Sequence, residues 1–91
     1  MSTTVPGGWT AYSTSISKDA TIAFKEALDG HVGVNYTPLA VASQLVSGIN
    51  YHFLCDAQVV YPNAPHYAAF IQVYKAIGEK AILSAPIKPI E

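Results

Sequence analysis

Cys55 is the one thiol in the chain, and His52 and His66 are the bases nearest to it in sequence. A thiol within hydrogen-bond reach of an imidazole would be an activated nucleophile. Strand alternation opposes the first pairing, because His52 and Cys55 differ by three and point to opposite faces. Cys55 falls in step with Tyr51, Phe53 and Ala57, the pattern of a small buried hydrophobe. His66 could approach only from a neighbouring strand. His31, His52 and His66 have no local ligand spacing, so no metal site is expected. A single Cys also excludes an internal disulfide and a Cys-based zinc cage. No cofactor and no catalytic set are implied.

The residues that point to binding instead are Gln44-Leu45-Val46-Ser47-Gly48, followed by Ile49-Asn50-Tyr51. A β-prone run enters this stretch and another leaves it. It reads as a hairpin tip at 46–48 carrying two exposed aliphatic side chains, which soluble proteins seldom display unless something binds there. Gly48 is expected to supply a positive φ for the turn. The alternative is that Leu45 and Val46 pack inward as strand residues, with the turn displaced by a residue or two.

Those residues need elements to carry them. Residues 1–8 read as a flexible arm of Ser, Thr, Pro and a Gly pair. Trp9 to Tyr12 suits a short strand, with Trp9 either a core anchor or a contact residue. Ser17 is an N-cap candidate, and Asp19 complements the positive end of a helix. Ala20, Ala23, Phe24, Ala27, Leu28 and His31 lie near helical spacing, with Lys18, Lys25, Glu26 and Asp29 elsewhere. This predicts an amphipathic helix over roughly 17–29, stopped by Gly30 at C′ and Gly33. The dipole at the helix C-terminus favours His31 there.

From Ile49 the period is two, which predicts a half-buried antiparallel strand with Ile49, Tyr51, Phe53, Cys55, Ala57 and Val59 on one face. A loop at 61–66, a strand over 67–77, a turn at Ile77-Gly78-Glu79-Lys80 and a last strand over 81–90 follow. Pro86 and Pro89 place that strand at a sheet edge. The expectation is an α+β fold: one N-terminal helix packed on a four- to five-stranded antiparallel sheet. In such a meander the tips at 46–48 and 77–80 share one end, and the arm could reach it.

Composition sets the outer bounds. The 91 residues suit a single domain, 1–91, around one modest core. With 51% hydrophobic and 12% charged residues, the chain is too apolar for disorder. Its apolar runs are too short for a membrane span. A formal charge of -1, with five Lys and no Arg, offers no phosphate groove, so no nucleic-acid partner is expected. The start has no basic-then-apolar segment, so a cytoplasmic protein is expected; a secreted mature form would look the same.

At this point the chain resembles the cystatin superfamily, the reversible inhibitors of papain-like cysteine proteases. Gln44-Leu45-Val46-Ser47-Gly48 is similar to the family's first-hairpin pattern Gln-x-Val-x-Gly, and Ile49-Asn50-Tyr51 continues as the family does. Val5-Pro6-Gly7-Gly8-Trp9 resembles its N-terminal trunk. The order of trunk, helix, first hairpin and second hairpin agrees over most of the chain. With one Cys and no leader, the build is closest to the stefin-type members.

The resemblance implies a non-covalent, competitive inhibitor that fills a protease cleft with a wedge. Its contacts would be Val5, Pro6, Gly7 and Gly8, then Gln44, Leu45, Val46, Ser47 and Gly48, then Ile77 and Gly78. The partner would be a papain-like cysteine protease, bound by a monomer with some tendency to domain-swapped dimers. The second tip departs from the family, whose Pro-Trp or Pro-His pair is absent from Ile77-Gly78-Glu79-Lys80. That departure suits a second reading, a cystatin-fold binding module with a different partner. A third, a small enzyme or ligand-binding domain with a cupped sheet, finds no acid, base or cofactor site in the sequence.

Overall fold

A computed structural model describes residues 8–90. Helix α1 spans Lys18–Ala27, and the Ser17 side chain accepts from the Ala20 N–H at 3.1 Å as its N-cap. Asp19 sits in the first turn, where the helix dipole favours a carboxylate. The helix ends earlier than its spacing predicts. Its C-cap is Leu28, and His31 is exposed beyond it rather than on the buried stripe. Gly30 (φ 83°) lies two residues past the cap, so it closes the turn from C″ and not from C′.

Three long strands follow: β1 (Val34–Val46), β2 (Gly48–Val59) and β3 (His66–Lys75). The last predicted strand is not continuous. It is two short pieces, β4 (Ile82–Leu83) and β5 (Lys88–Pro89), both paired with β3. Leu83 pairs with Val73 and Lys88 with Phe70, so residues 84–87 stand opposite only Ile71 and Gln72. Pro86 cannot donate to a ladder, and the chain bows out where it falls. The result is one helix packed against a five-stranded antiparallel sheet. This is an α+β fold consistent with the stefin-like arrangement.

Trp9 and Ser13 form isolated antiparallel bridges to Gln44 and Val41, in place of the short strand expected at 9–12. Between those bridges the N-terminal segment has one more residue than β1 has. That mismatch breaks the ladder. A second irregularity lies in β1, where Leu39 is the extra residue between the Pro38 and Ala40 pairings.

The core lies between α1 and one face of the sheet. Phe53, Cys55, Ile71 and Val73 are the largest fully buried side chains, and Ala20, Ala23, Phe24 and Ala27 meet them from the helix. Phe24 and Phe53 pack edge to face at 4.8 Å between centroids, worth about 0.5–1.5 kcal/mol beyond burial. The small helix residues let the backbone approach the sheet closely. The Ala81 N–H donates to Glu26 Oε1 at 3.0 Å, which ties the start of the last segment to α1. No helix among the described residues is long and apolar enough to cross a membrane.

Candidate functional site

Register places the tip of the first hairpin at Ser47, between the paired residues Val46 and Gly48. Leu45 faces the helix side of the sheet opposite Ile49, and Val46 lies on the other side. Both stay exposed, at 42% and 40%. The turn is therefore where the sequence suggests, and neither residue is packed inward.

Gly48 has φ 108°, and a Cβ there would lie 2.5 Å from the Lys75 carbonyl oxygen and 3.2 Å from Ala76 Cα. Glycine is required twice over, for the backbone angle and for the close approach of β3. The Tyr74 hydroxyl donates to the Ser47 carbonyl, so the first tip is bolted to the end of β3. The Gln44 side chain does not simply project to a partner. Its Oε1 accepts from Asn50 Nδ2 at 2.8 Å across the hairpin.

The second tip follows β3 directly. Gly78 has φ 77° with open space around it, and the Glu79 N–H closes the turn onto the Ala76 carbonyl at 3.3 Å. Lys75 Nζ donates to the carbonyls of Ala76 and Glu79, which braces the loop from inside. Ile77 projects with 86% of its surface exposed. Between the tips runs a shallow groove of about 270 Å³ lined by Leu45, Val46, Ile49, Lys75 and Ile77.

The N-terminal segment reaches the same end. The Thr10 N–H donates to the Ser43 carbonyl at 2.8 Å, and the Ser43 N–H donates to Thr10 Oγ1 at 2.9 Å. With Trp9 bridged to Gln44, Gly8 is brought beside the first tip. Of the predicted contact residues, Gly8, Gln44–Gly48, Ile77 and Gly78 thus gather at one end. Val5, Pro6 and Gly7, with most of the arm predicted at 1–8, lie outside the described residues.

The nucleophile candidates separate. Cys55 is fully buried on the helix face, opposite Ala69, and burial pushes its thiol up to about 12. His52 and His66 both lie on the open face, on the far side of the sheet from Cys55. His66 Nδ1 meets Asp56 Oδ2 at 2.7 Å, an exposed imidazole–carboxylate pair. Among the described residues no group of three or more His, Cys, Asp or Glu could hold a metal.

Sequence reasoning missed an aromatic cluster on the open face. Trp9 and Tyr12 flank His52 with centroids 6.2 and 5.9 Å away, and His52 lies against Phe70 at 4.8 Å with planes 30° apart. Trp9, Tyr12, Ala42, His52 and Gln72 line a groove of about 360 Å³. The signal was present in β3, where Ala69, Ile71 and Val73 face inward and Phe70 must therefore face out. In comparisons with family models, with curated proteins and with solved structures, nothing matches this chain.

Proposed function

We propose that this chain is a non-enzymatic, reversible and competitive inhibitor of papain-like cysteine proteases, acting by occluding the cleft. The observation that carries the reading is the gathering of Gly8, the Leu45–Val46 tip and Ile77 at one end of the sheet. That end exposes aliphatic side chains, and its backbone is braced from within by the Tyr74 and Lys75 bonds. The family resemblance at Gln44–Gly48 supplies the partner class. No group at this end needs to react: a wedge works by shape and desolvation.

The three aliphatic side chains are unequal. Leu45 and Val46 are already more than half covered, so docking gains each roughly 1 kcal/mol, less than the about 1.5–3 kcal/mol of full burial. Ile77 starts nearly bare and offers close to the full amount. It stands where the family carries an aromatic or imidazole ring, and it is the main contact of the second tip. In this reading the chain works as a cytoplasmic monomer. Opening of the first hairpin, with exchange between two copies, would produce swapped dimers. A single monomeric size-exclusion peak after partial unfolding and refolding would refute that exchange.

The second reading, a binding module of the same fold with another partner, is favoured by the missing Pro-Trp or Pro-His pair. Titration of active papain and a cathepsin-type protease separates the two. Competitive inhibition below micromolar, weakened at least tenfold by Ile77→Asp or Val46→Asp, supports the wedge. A folded sample that leaves both enzymes active at tens of micromolar refutes it and leaves the second reading.

A further inference from the structure

We infer that His52 is a positioning residue for the N-terminal segment: it clamps Trp9 and Tyr12 onto the open face of the sheet and so holds Gly8 beside the first tip. The reason lies in how little else holds that segment. Its ladder to β1 is two isolated bridges with a bulge between them. Among the described residues, the bonds that join it to β1 at these positions are four, at Thr10–Ser43 and Ser13–Val41. An irregular edge segment with so few bonds opens readily.

Side chains supply the remainder. The Tyr12 hydroxyl bonds His52 Nδ1, and the indole of Trp9 meets the same imidazole at 80° between planes. His52 belongs to β2, two strands away from the segment it holds, a span of roughly 9–10 Å. Trp9 and Tyr12 reach it by passing over β1, where the residue beneath them is Ala42. A large side chain at 42 would block the crossing. Ala42 is only 4% exposed and lines one groove with both rings. Behind His52, Phe70 of β3 backs the imidazole, so the clamp rests on the central strands of the sheet.

The arrangement assigns Trp9 to holding the segment and not to touching a partner. It also lowers the ordering cost on docking, since a segment already fixed has less freedom to lose. This last consequence rests on the proposed wedge; the clamp itself does not.

The test uses the full chain with Tyr12→Phe, His52→Ala and the two combined. Amide exchange at Thr10 and Ser13 reports the segment, and the emission of Trp9, the one tryptophan, reports its burial. Tyr12→Phe removes a single oxygen and should speed exchange about twofold to tenfold. His52→Ala should speed it more, with a red shift of Trp9, while Phe53 and Ile71 amides stay protected. The double variant should match His52→Ala alone, because both changes break one clamp. Papain inhibition should weaken in parallel by a similar factor.

Unchanged exchange at Thr10 and Ser13 in His52→Ala, in a protein whose Phe53 amide remains protected, overturns the clamp. Faster exchange with unchanged papain inhibition overturns its role in docking. Failure of the wild-type chain to inhibit papain overturns the wedge, and the exchange data still decide the clamp.

Discussion

Replacing Gly48 by Ala tests whether the two hairpin tips touch as described. Two costs are expected. An L-residue at φ 108° loses roughly 1–2 kcal/mol of backbone energy. The new Cβ also meets the Lys75 carbonyl oxygen at 2.5 Å, with Tyr74 Oη at 3.0 Å and Ala76 Cα at 3.2 Å. The nearest and third of these atoms are backbone, so relief means moving β3 or the tip, an overpacking cost of about 1–3 kcal/mol. Together they come to roughly 2–5 kcal/mol, or a fall of about 10 °C or more in Tm for a chain of this size. Gly78→Ala is the internal control. Its φ is 77°, and nothing lies within 4 Å of the added carbon, so only the backbone cost remains. Urea unfolding followed by circular dichroism, with the slope m held constant between variants, measures both. Gly48→Ala should exceed Gly78→Ala by about 1–3 kcal/mol. Equal losses would refute the close approach of the tips and, with it, the braced wedge.

Other expectations follow from single residues. Cys55 should resist a thiol reagent such as DTNB in the native state and react only when urea unfolds the chain, because its thiol is buried and pushed up to about 12. Phe53→Ala should cost about 3–5 kcal/mol in urea unfolding, since its ring is fully buried against Phe24 and Tyr51. Glu26→Ala should cost about 1–2 kcal/mol by freeing the Ala81 N–H, whereas Glu26→Gln, which keeps the accepting oxygen, should cost less. Burial lowers the His52 pKa from its ordinary 6.5, so the unfolded chain takes up this proton first as pH falls. Stability should therefore decline from about pH 6.5 down to the lowered folded value and be insensitive to this group above pH 7. His52→Gln should remove that part of the slope in urea midpoints measured against pH. Among the described residues, the groups facing His52 are Tyr12, Trp9, Phe70, Ala42 and Gln72, and Asp56 on the same face is engaged by His66, so none of these supplies a free carboxylate to offset the burial.

Local chemistry was legible wherever a rule acts over a few residues. Ser17 and Asp19 announce a helix start because a hydroxyl acceptor and a carboxylate both suit exposed N–H groups. The alternation from Tyr51 to Ala57 separates a helix-facing side from an open side, and it alone parts Cys55 from His52. Gly48 and Gly78 mark both tips, since positive φ excludes most side chains. The sequence misled where tertiary pairing overrides such rules. His31 has the spacing of the buried stripe, yet the helix ends at Ala27 before the stripe reaches it. The last ten residues read as a strand, but Pro86 and a two-residue mismatch against β3 divide them.

By itself, then, the sequence determined the helix start, the faces of the central strands and the two turns, because capping, alternation and glycine freedom depend on neighbours along the chain. Only the tertiary structure decided what meets across the sheet. Lys75 lies against Gly48, Glu26 reaches Ala81, and Trp9 and Tyr12 cross over Ala42 to His52. Those contacts join residues dozens of positions apart. They follow from strand register and from a small side chain left between larger ones, which no local pattern encodes.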